Sequence, residues 1–281
     1  MIDRFARLPA FLDSRSRRVR LGPTGEGVPA LLTHFDWTTP TPVCIWLHGR
    51  TVNKELDAGR YVRWLKAGIA ACAIDLPGHG ERLEADFHSP QRTLDVLDQV
   101  IPEIDQVVQA LGAPEFGGAF DMDRIAIGGM SAGGMAVLRR LCDPHPFTCA
   151  AVEGTSGDLA GLYFVRSTNA ATASWQVAHN PARVARLDPM KHLTSWRPIP
   201  LLTLHSERDE LVPVATQRRF INALRMNYRE RGTDESLVTF HTWPETGAPQ
   251  EHAGFGRFGN DAKNLQTEFL AMHLRSTPPN L

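Results

Sequence analysis

"RIAIGGMSAGGMAVLRRL", Arg124 to Leu141, passes from a short apolar run through four glycines and one serine into a helical pattern. Glycine weakens regular structure through its backbone freedom, so four of them around Ser131 need a local reason. Gly129-Met130-Ser131-Ala132-Gly133 matches Gly-x-Ser-x-Gly, and the strand before it and helix after it are the context in which that pattern makes physical sense. Small flanking residues permit a sharp turn that projects Ser131. The new helix brings amide N–H groups and a positive dipole end to any negative charge that develops there. Gly128 and Gly134 fall outside the motif and suit close packing of strand and helix.

Outward from this turn, apolar strands alternate with helix-length segments. "TPVCIWLHG" carries continuous apolar residues from Val43 to Leu47 and reads as a strand covered on both faces. "KELDAGRYVRWLKAG" reads as a helix ended by Gly68, and "IAACAIDLPGHGE" as a strand stopped by a turn at Pro77. Gln91 to Gly112 is a long helix in which Pro102 predicts a break or bend. Strands follow at Phe147 to Val152, from about Ile199, and at "SLVTFHTW", with helices at "PVATQRRFINALRMNYRERG" and Asn264 to Leu274. "VPALLTHFDW" is expected to be an edge strand, while "SRSRRVR", Ser14 to Arg20, is expected to coat a solvated N-terminal segment. This alternation calls for an α/β fold with a mostly parallel sheet and helices on both faces, its ligand-handling residues clustered beyond the strands' carboxyl ends.

The chain has 281 residues, 42% hydrophobic and 22% charged, with a formal net charge of -1. It is expected to form a single domain spanning 1–281. Gly154 to Arg197, some forty residues between consecutive strands, is too long for a simple crossover. A helical cap beside the active site and an ordinary pair of covering helices are the two candidates for it. No basic stripe with interleaved aromatics invites nucleic acid, and no apolar run invites membrane insertion. With no secretory signal pattern at the N-terminus, a cytoplasmic location is the expectation. Cys44, Cys72, Cys142 and Cys149 lack CxxC-type spacing and are expected to be buried thiols rather than disulfide partners or metal ligands. The scattered histidines, without HExxH, give no metal site.

A serine hydroxyl needs a base and a group to orient that base. "LLTLHSERDELVP" places Asp209 beyond an apolar strand, and "PQEHAGFG" places His252 in a loop after the last strand. The order Ser131, Asp209, His252 suits this fold class. Glu207, Glu210, Glu153 and Asp158 compete for the acidic role, and His205, His241 and His79 for the basic one. Asp209 is preferred because a loop can turn inward several residues beyond its strand, and His252 because the loop leaves it free. Oxyanion donors are expected from the backbone N–H of Ala132, after the nucleophile, and of Arg50, after His48-Gly49 in "LHGRTVNKE". The Arg50 side chain is open to a substrate carboxylate, to solvent or to a surface ion pair. Among loop aromatics, Phe164, Trp175 and Trp243 are the expected pocket residues.

His48-Gly49, "DLPGHGE" at Asp75 to Glu81, the serine turn, the Asp209 loop and His252 together resemble the α/β-hydrolase superfamily from about Val43 to Leu274. Within it the chain is similar to dienelactone-hydrolase-like and prolyl-oligopeptidase-like bacterial serine esterases. The resemblance implies a sheet of about eight strands, with the first strand or two missing here, and serine-dependent acyl transfer to water without a cofactor. It implies a carboxylic ester as substrate, and edge strands that leave a homodimer open. His79, in the "PGHG" turn, is implied to be structural. Ser131 departs from the cysteine that many dienelactone hydrolases carry. A serine peptidase or aminopeptidase is the alternative, with Glu153 or Asp158 aimed at a substrate amine. A non-catalytic binding protein on the same scaffold is the other.

Overall fold

The computed structural model describes residues 8–22, 27–164 and 177–275. Eight strands form one sheet in the order β1-β2-β4-β3-β5-β6-β7-β8. They are β1 (Ser16–Leu21), β2 (Val28–Thr33), β3 (Thr41–Leu47), β4 (Ala70–Ile74), β5 (Phe120–Met130), β6 (Cys149–Glu153), β7 (Leu201–Ser206) and β8 (Val238–Trp243). β2 pairs antiparallel with both neighbours, and every pairing from β4 across to β8 is parallel.

The continuous apolar runs are buried on both faces because side chains alternate across the pleat. Val43, Ile45 and Leu47 pack with Ile125 and Ile127 toward α3 (Thr93–Leu111), α4 (Ala132–Arg140) and α7 (Val214–Glu230). Cys44, Trp46 and Ala126 point the other way, toward α1 (Ala10–Asp13), α2 (Ala58–Lys66) and α8 (Gly259–Leu274). All four cysteines are buried and free, with burial pushing the Cys142 and Cys149 thiols up to about 12. Among the described residues no helix is long and apolar enough to cross a membrane.

Three expectations give way. The sheet has its full first strands, and the edge strand is β1, formed by the basic segment, so "VPALLT" lies inside the sheet with every residue buried. Arginines disguise β1 as a solvated stretch. Yet Arg17 lies over the Trp37 ring at 3.8 Å, and Arg18 meets Glu55 at 3.5 Å. Helix α3 runs unbroken through Pro102, which sits on its exposed face, where the freed carbonyl can turn to solvent. Of the long 154–197 segment, α5 (Leu159–Tyr163) and α6 (Pro181–Leu187) are described.

Two carboxylates shape the loops at the carboxyl edge. Asp75, at the end of β4, accepts from the backbone N–H of Lys54 at 3.0 Å and of Glu81 at 3.0 Å. The buried Lys54 ammonium closes the set, 2.8 Å from Asp75 and 2.6 Å from Glu81. Burial alone would lower the pKa of Lys54, but its hydrogen bonds to these carboxylates outweigh that and raise it. After β8, Glu251 accepts from the backbone N–H groups of Thr246 and Gly247 at 2.6 Å each, and from the hydroxyls of Thr246 and Ser206. Burial opposes ionisation of Glu251, yet these bonds hold its pKa down at about 2.

Lys54→Met leaves Asp75 buried without its counter-ion, and it should lower the unfolding free energy by about 3 kcal/mol. A shifted urea midpoint at unchanged slope would report this. For Glu251 the folded-state pKa is depressed, so its stabilisation is complete above its ordinary value of 4.5 and drains away as pH falls toward about 2. Glu251→Gln should therefore flatten the fall of the thermal midpoint between those two pH values.

Candidate active site

Ser131 stands at the junction of β5 and α4 with φ 52° and ψ -120°, a backbone region that side chains rarely enter. The turn closes because strand, helix and the neighbouring loop meet almost without side chains. A Cβ on Gly133 would lie 2.3 Å from the carbonyl oxygen of Leu47, and one on Gly129 would lie 2.7 Å from the backbone of Gly133. The backbone N–H of Ser131 donates to the Glu153 carbonyl at 2.9 Å. Its carbonyl accepts from Met135 N–H at 2.9 Å and from the Thr155 hydroxyl at 2.8 Å.

The structure brings the three separated residues together. Ser131 Oγ lies 3.0 Å from His252 Nε2, and His252 Nδ1 lies 2.8 Å from Asp209 Oδ2. All three are nearly buried. Asp209 Oδ1 accepts from the backbone N–H of Leu211 at 2.9 Å and of Val212 at 2.7 Å, so the loop after β7 wraps the carboxylate. Burial would raise the Asp209 pKa, but hydrogen bonding to His205 and His252 prevails and holds it below the usual carboxylate range. With Asp209 ionised, Nδ1 of His252 carries the proton and Nε2 is left to accept from Ser131.

The competing residues are engaged elsewhere. His205 Nε2 donates to the Val212 carbonyl at 2.8 Å and lies 3.4 Å from Asp209, supporting that carboxylate from behind. His241 packs against Trp243. Glu207 takes the Thr242 hydroxyl at 2.9 Å. Glu153 is clamped by both terminal nitrogens of Arg60 at 2.8 Å, and Asp158 caps α5 while pairing with Arg219 at 2.7 Å. His79 is fully buried, its Nδ1 2.8 Å from the Pro77 carbonyl.

Ala132 is the first residue of α4, and Arg50 lines the same cavity as Ser131. The loop carrying Arg50 runs against Ser131, since a Cβ on Gly49 would lie 3.5 Å from Ser131 Cβ. Two features hold that loop. His48 accepts from Leu76 N–H through Nε2 at 3.0 Å and donates to the Gly49 carbonyl through Nδ1, and burial lowers its pKa to about 4, which keeps this neutral form. Thr51, a β-branched residue, sits at φ 67°. The Arg50 guanidinium turns to the His88 carbonyl at 2.7 Å.

The cavity holds about 510 Å³ and extends from Ser131 between the Arg50 loop and the start of α8. Sequence reasoning placed its aromatics imperfectly. Trp243 packs behind the site, 4.9 Å from Phe255 and 5.8 Å from Phe258, and it is Phe255 that reaches the wall. Phe164 is 46% exposed at the end of α5 and does not line this cavity. Trp175 lies outside the described residues. Glu153, which the sequence offers as an acid near the site, does line the cavity, whereas Arg60 and Lys263 were missed because their helix positions carry no local motif.

A family model for the prolyl oligopeptidase family matches residues 58–277. Esterase YjfP of Escherichia coli (strain K12) is 29% identical over 211 residues, covering 71% of this chain and 80% of that protein. TT1662 from Thermus thermophilus superposes with a TM-score of 0.68 at 21% identity, covering 94% of this chain and 99% of that one. A Mycobacterium tuberculosis puromycin-hydrolyzing peptidase gives 0.69 at 19% identity, over 95% of this chain and 40% of that one. The structural likenesses carry the fold, and the family match covers most of the chain: this is a serine hydrolase of α/β-hydrolase fold that belongs to the prolyl oligopeptidase family.

Proposed function

We propose that the chain hydrolyses carboxylic esters through Ser131, His252 and Asp209. The observation that carries this is the continuous relay from Ser131 Oγ to His252 at 3.0 Å and on to Asp209 at 2.8 Å, opening on a cavity. His252 takes the hydroxyl proton as Ser131 attacks the substrate carbonyl, and Asp209 stabilises the imidazolium that forms. Backbone N–H groups of Ala132 and Arg50 receive the oxyanion. Protonated His252 then hands its proton to the departing alcohol. Water, activated by the same imidazole, releases the acid and restores the serine.

The neighbouring acidic groups favour an ester over an N-terminal amine substrate. Glu153 is committed to Arg60 and Gln266, and Asp158 to α5 and Arg219, so neither carboxylate stands ready for a substrate ammonium. The name of the Escherichia coli relative points the same way. A binding protein without catalysis would have no use for the strained Ser131 backbone.

Ser131→Ala should cut kcat on a short-chain chromogenic ester by about 10⁴-fold or more while the thermal midpoint stays close to that of the parent. A fluorophosphonate should label the parent and not the variant; retained turnover in the variant would sink the assignment. Aminoacyl amides run alongside should turn over far more slowly than the ester, and a reversed preference would move the enzyme to the peptidases. Asp209→Asn can keep its bonds to Leu211 and Val212 but presents an amide N–H to His252. That forces the proton onto Nε2, and kcat should fall about 10⁴-fold.

A further inference from the structure

The charges lining the Ser131 cavity do not all find partners. Glu153 gives both oxygens to Arg60 and takes a further bond from Gln266 at 3.2 Å. Asp57 accepts the Trp46 indole N–H at 2.8 Å and faces Arg60 Nε at 3.6 Å. The Arg60 guanidinium lies over the Trp46 ring, 4.2 Å from its centroid. These five side chains close on one another.

Lys263 is left out of it. Its ammonium donates to the Gly259 carbonyl at 3.2 Å, one turn back on α8, and no carboxylate lies within ion-pair distance of it among the described residues. Lys263 nevertheless lines the cavity, together with Gly259 and Ala262 of the first turns of the same helix. The N-cap residue of α8, Phe258, offers no side-chain acceptor, so the helix terminus adds its partial positive charge beside the lysine. Burial and the nearby Arg60 cation lower the Lys263 pKa more than the Asp57 and Glu153 carboxylates, out of contact with it, raise it, so an arriving anion would relieve the ammonium. The rest of the wall includes Val52, Leu56, Met130 and Phe255, apolar surface suited to a short hydrocarbon stretch.

We infer that Lys263 is the anion-recognising group of the Ser131 site and that the preferred substrates are small esters bearing a free carboxylate. This rests on the ester-hydrolase reading and adds the substrate class. The carboxylate forms a charge-assisted hydrogen bond with the Lys263 ammonium and is not altered in the reaction. Water cleaves the ester bond, giving an alcohol and a second carboxylic acid. The charged group can belong to the acyl half or to the alcohol half of the ester.

Two matched pairs separate these sources: the mono-para-nitrophenyl ester of glutarate against para-nitrophenyl valerate, and para-butyryloxybenzoate against its methyl ester. The parent should favour the anionic member of one pair by about 10-fold or more in kcat/KM. Lys263→Met should erase that preference by raising KM for the anionic ester about 10-fold more than for its neutral partner. Lys263→Arg should keep the preference, and Lys263→Glu should invert it. Equal treatment of both members by the parent, or equal slowing of both by Lys263→Met, overturns the assignment. Calorimetric titration of Ser131→Ala with the same esters reads binding without turnover, and tighter binding of the anionic member there supports Lys263 even if the catalytic assignment fails. Hydrolysis of neutral esters that depends on Ser131 while the anionic preference is absent would leave the ester reading standing and remove this one.

Discussion

The carboxyl edge of the sheet depends on one unfavourable backbone conformation. At φ 52° and ψ -120°, Ser131 occupies a region that costs on the order of 1–3 kcal/mol. A corner of this kind persists only if its surroundings leave the chain nowhere else to go. β6 takes the serine N–H, α4 and Thr155 take its carbonyl, and Gly133 lets the helix press against the end of β3. The same β6 end continues into Gly154, where a Cβ would come within 3.4 Å of His252. Ser131 and His252 are therefore positioned against a single strand terminus.

Around that corner, loops are organised by carboxylates that collect backbone amides. Asp75 gathers the amides of Lys54 and Glu81, Asp209 those of Leu211 and Val212, and Glu251 those of Thr246 and Gly247. Asp188 does the same for Leu159, Ala160 and Met190, which anchors α5 beside the site. Each loop leaves its strand as irregular chain whose N–H groups need acceptors once buried. A carboxylate supplies several at once, and in Asp209 the remaining lone pairs serve His252. Loop folding and preparation of the relay are in this respect the same event.

The legible parts of the sequence were those governed by local constraint. Gly-x-Ser-x-Gly was readable because the corner tolerates so few residues; Gly134 does sit where the helix crowds the chain after β6, against Thr155, whereas Gly128 is crowded by the neighbouring strands, at the Ala151 carbonyl and the Trp46 ring. The parallel core was readable because strands buried on both faces must be continuously apolar. What escaped depends on distant partners. Arg60 and Glu153 are 93 residues apart, so nothing near either announces a shared pocket floor. The sequence favours Trp243, on the approach to His252, and only the fold shows that Phe255 reaches the wall instead. Pro102 does not break its helix, and periodicity alone does not say that solvent can take up the carbonyl it frees.

The edge strand β1 has a bearing beyond its own pairing. Among the described residues no strand pairs with its outer margin, and the strand carries Arg17, Arg18 and Arg20 along six residues, some held by Asp13, Glu55 and Glu81 from the same chain. Two molecules meeting margin to margin would set one guanidinium row against another, and like charges placed directly opposite repel. Sheet extension through β1 is thereby discouraged by the strand's own side chains, most strongly at low ionic strength, where little salt screens them. The basic segment that hides a strand from sequence inspection thus sets like charges along an edge where a second molecule would otherwise pair.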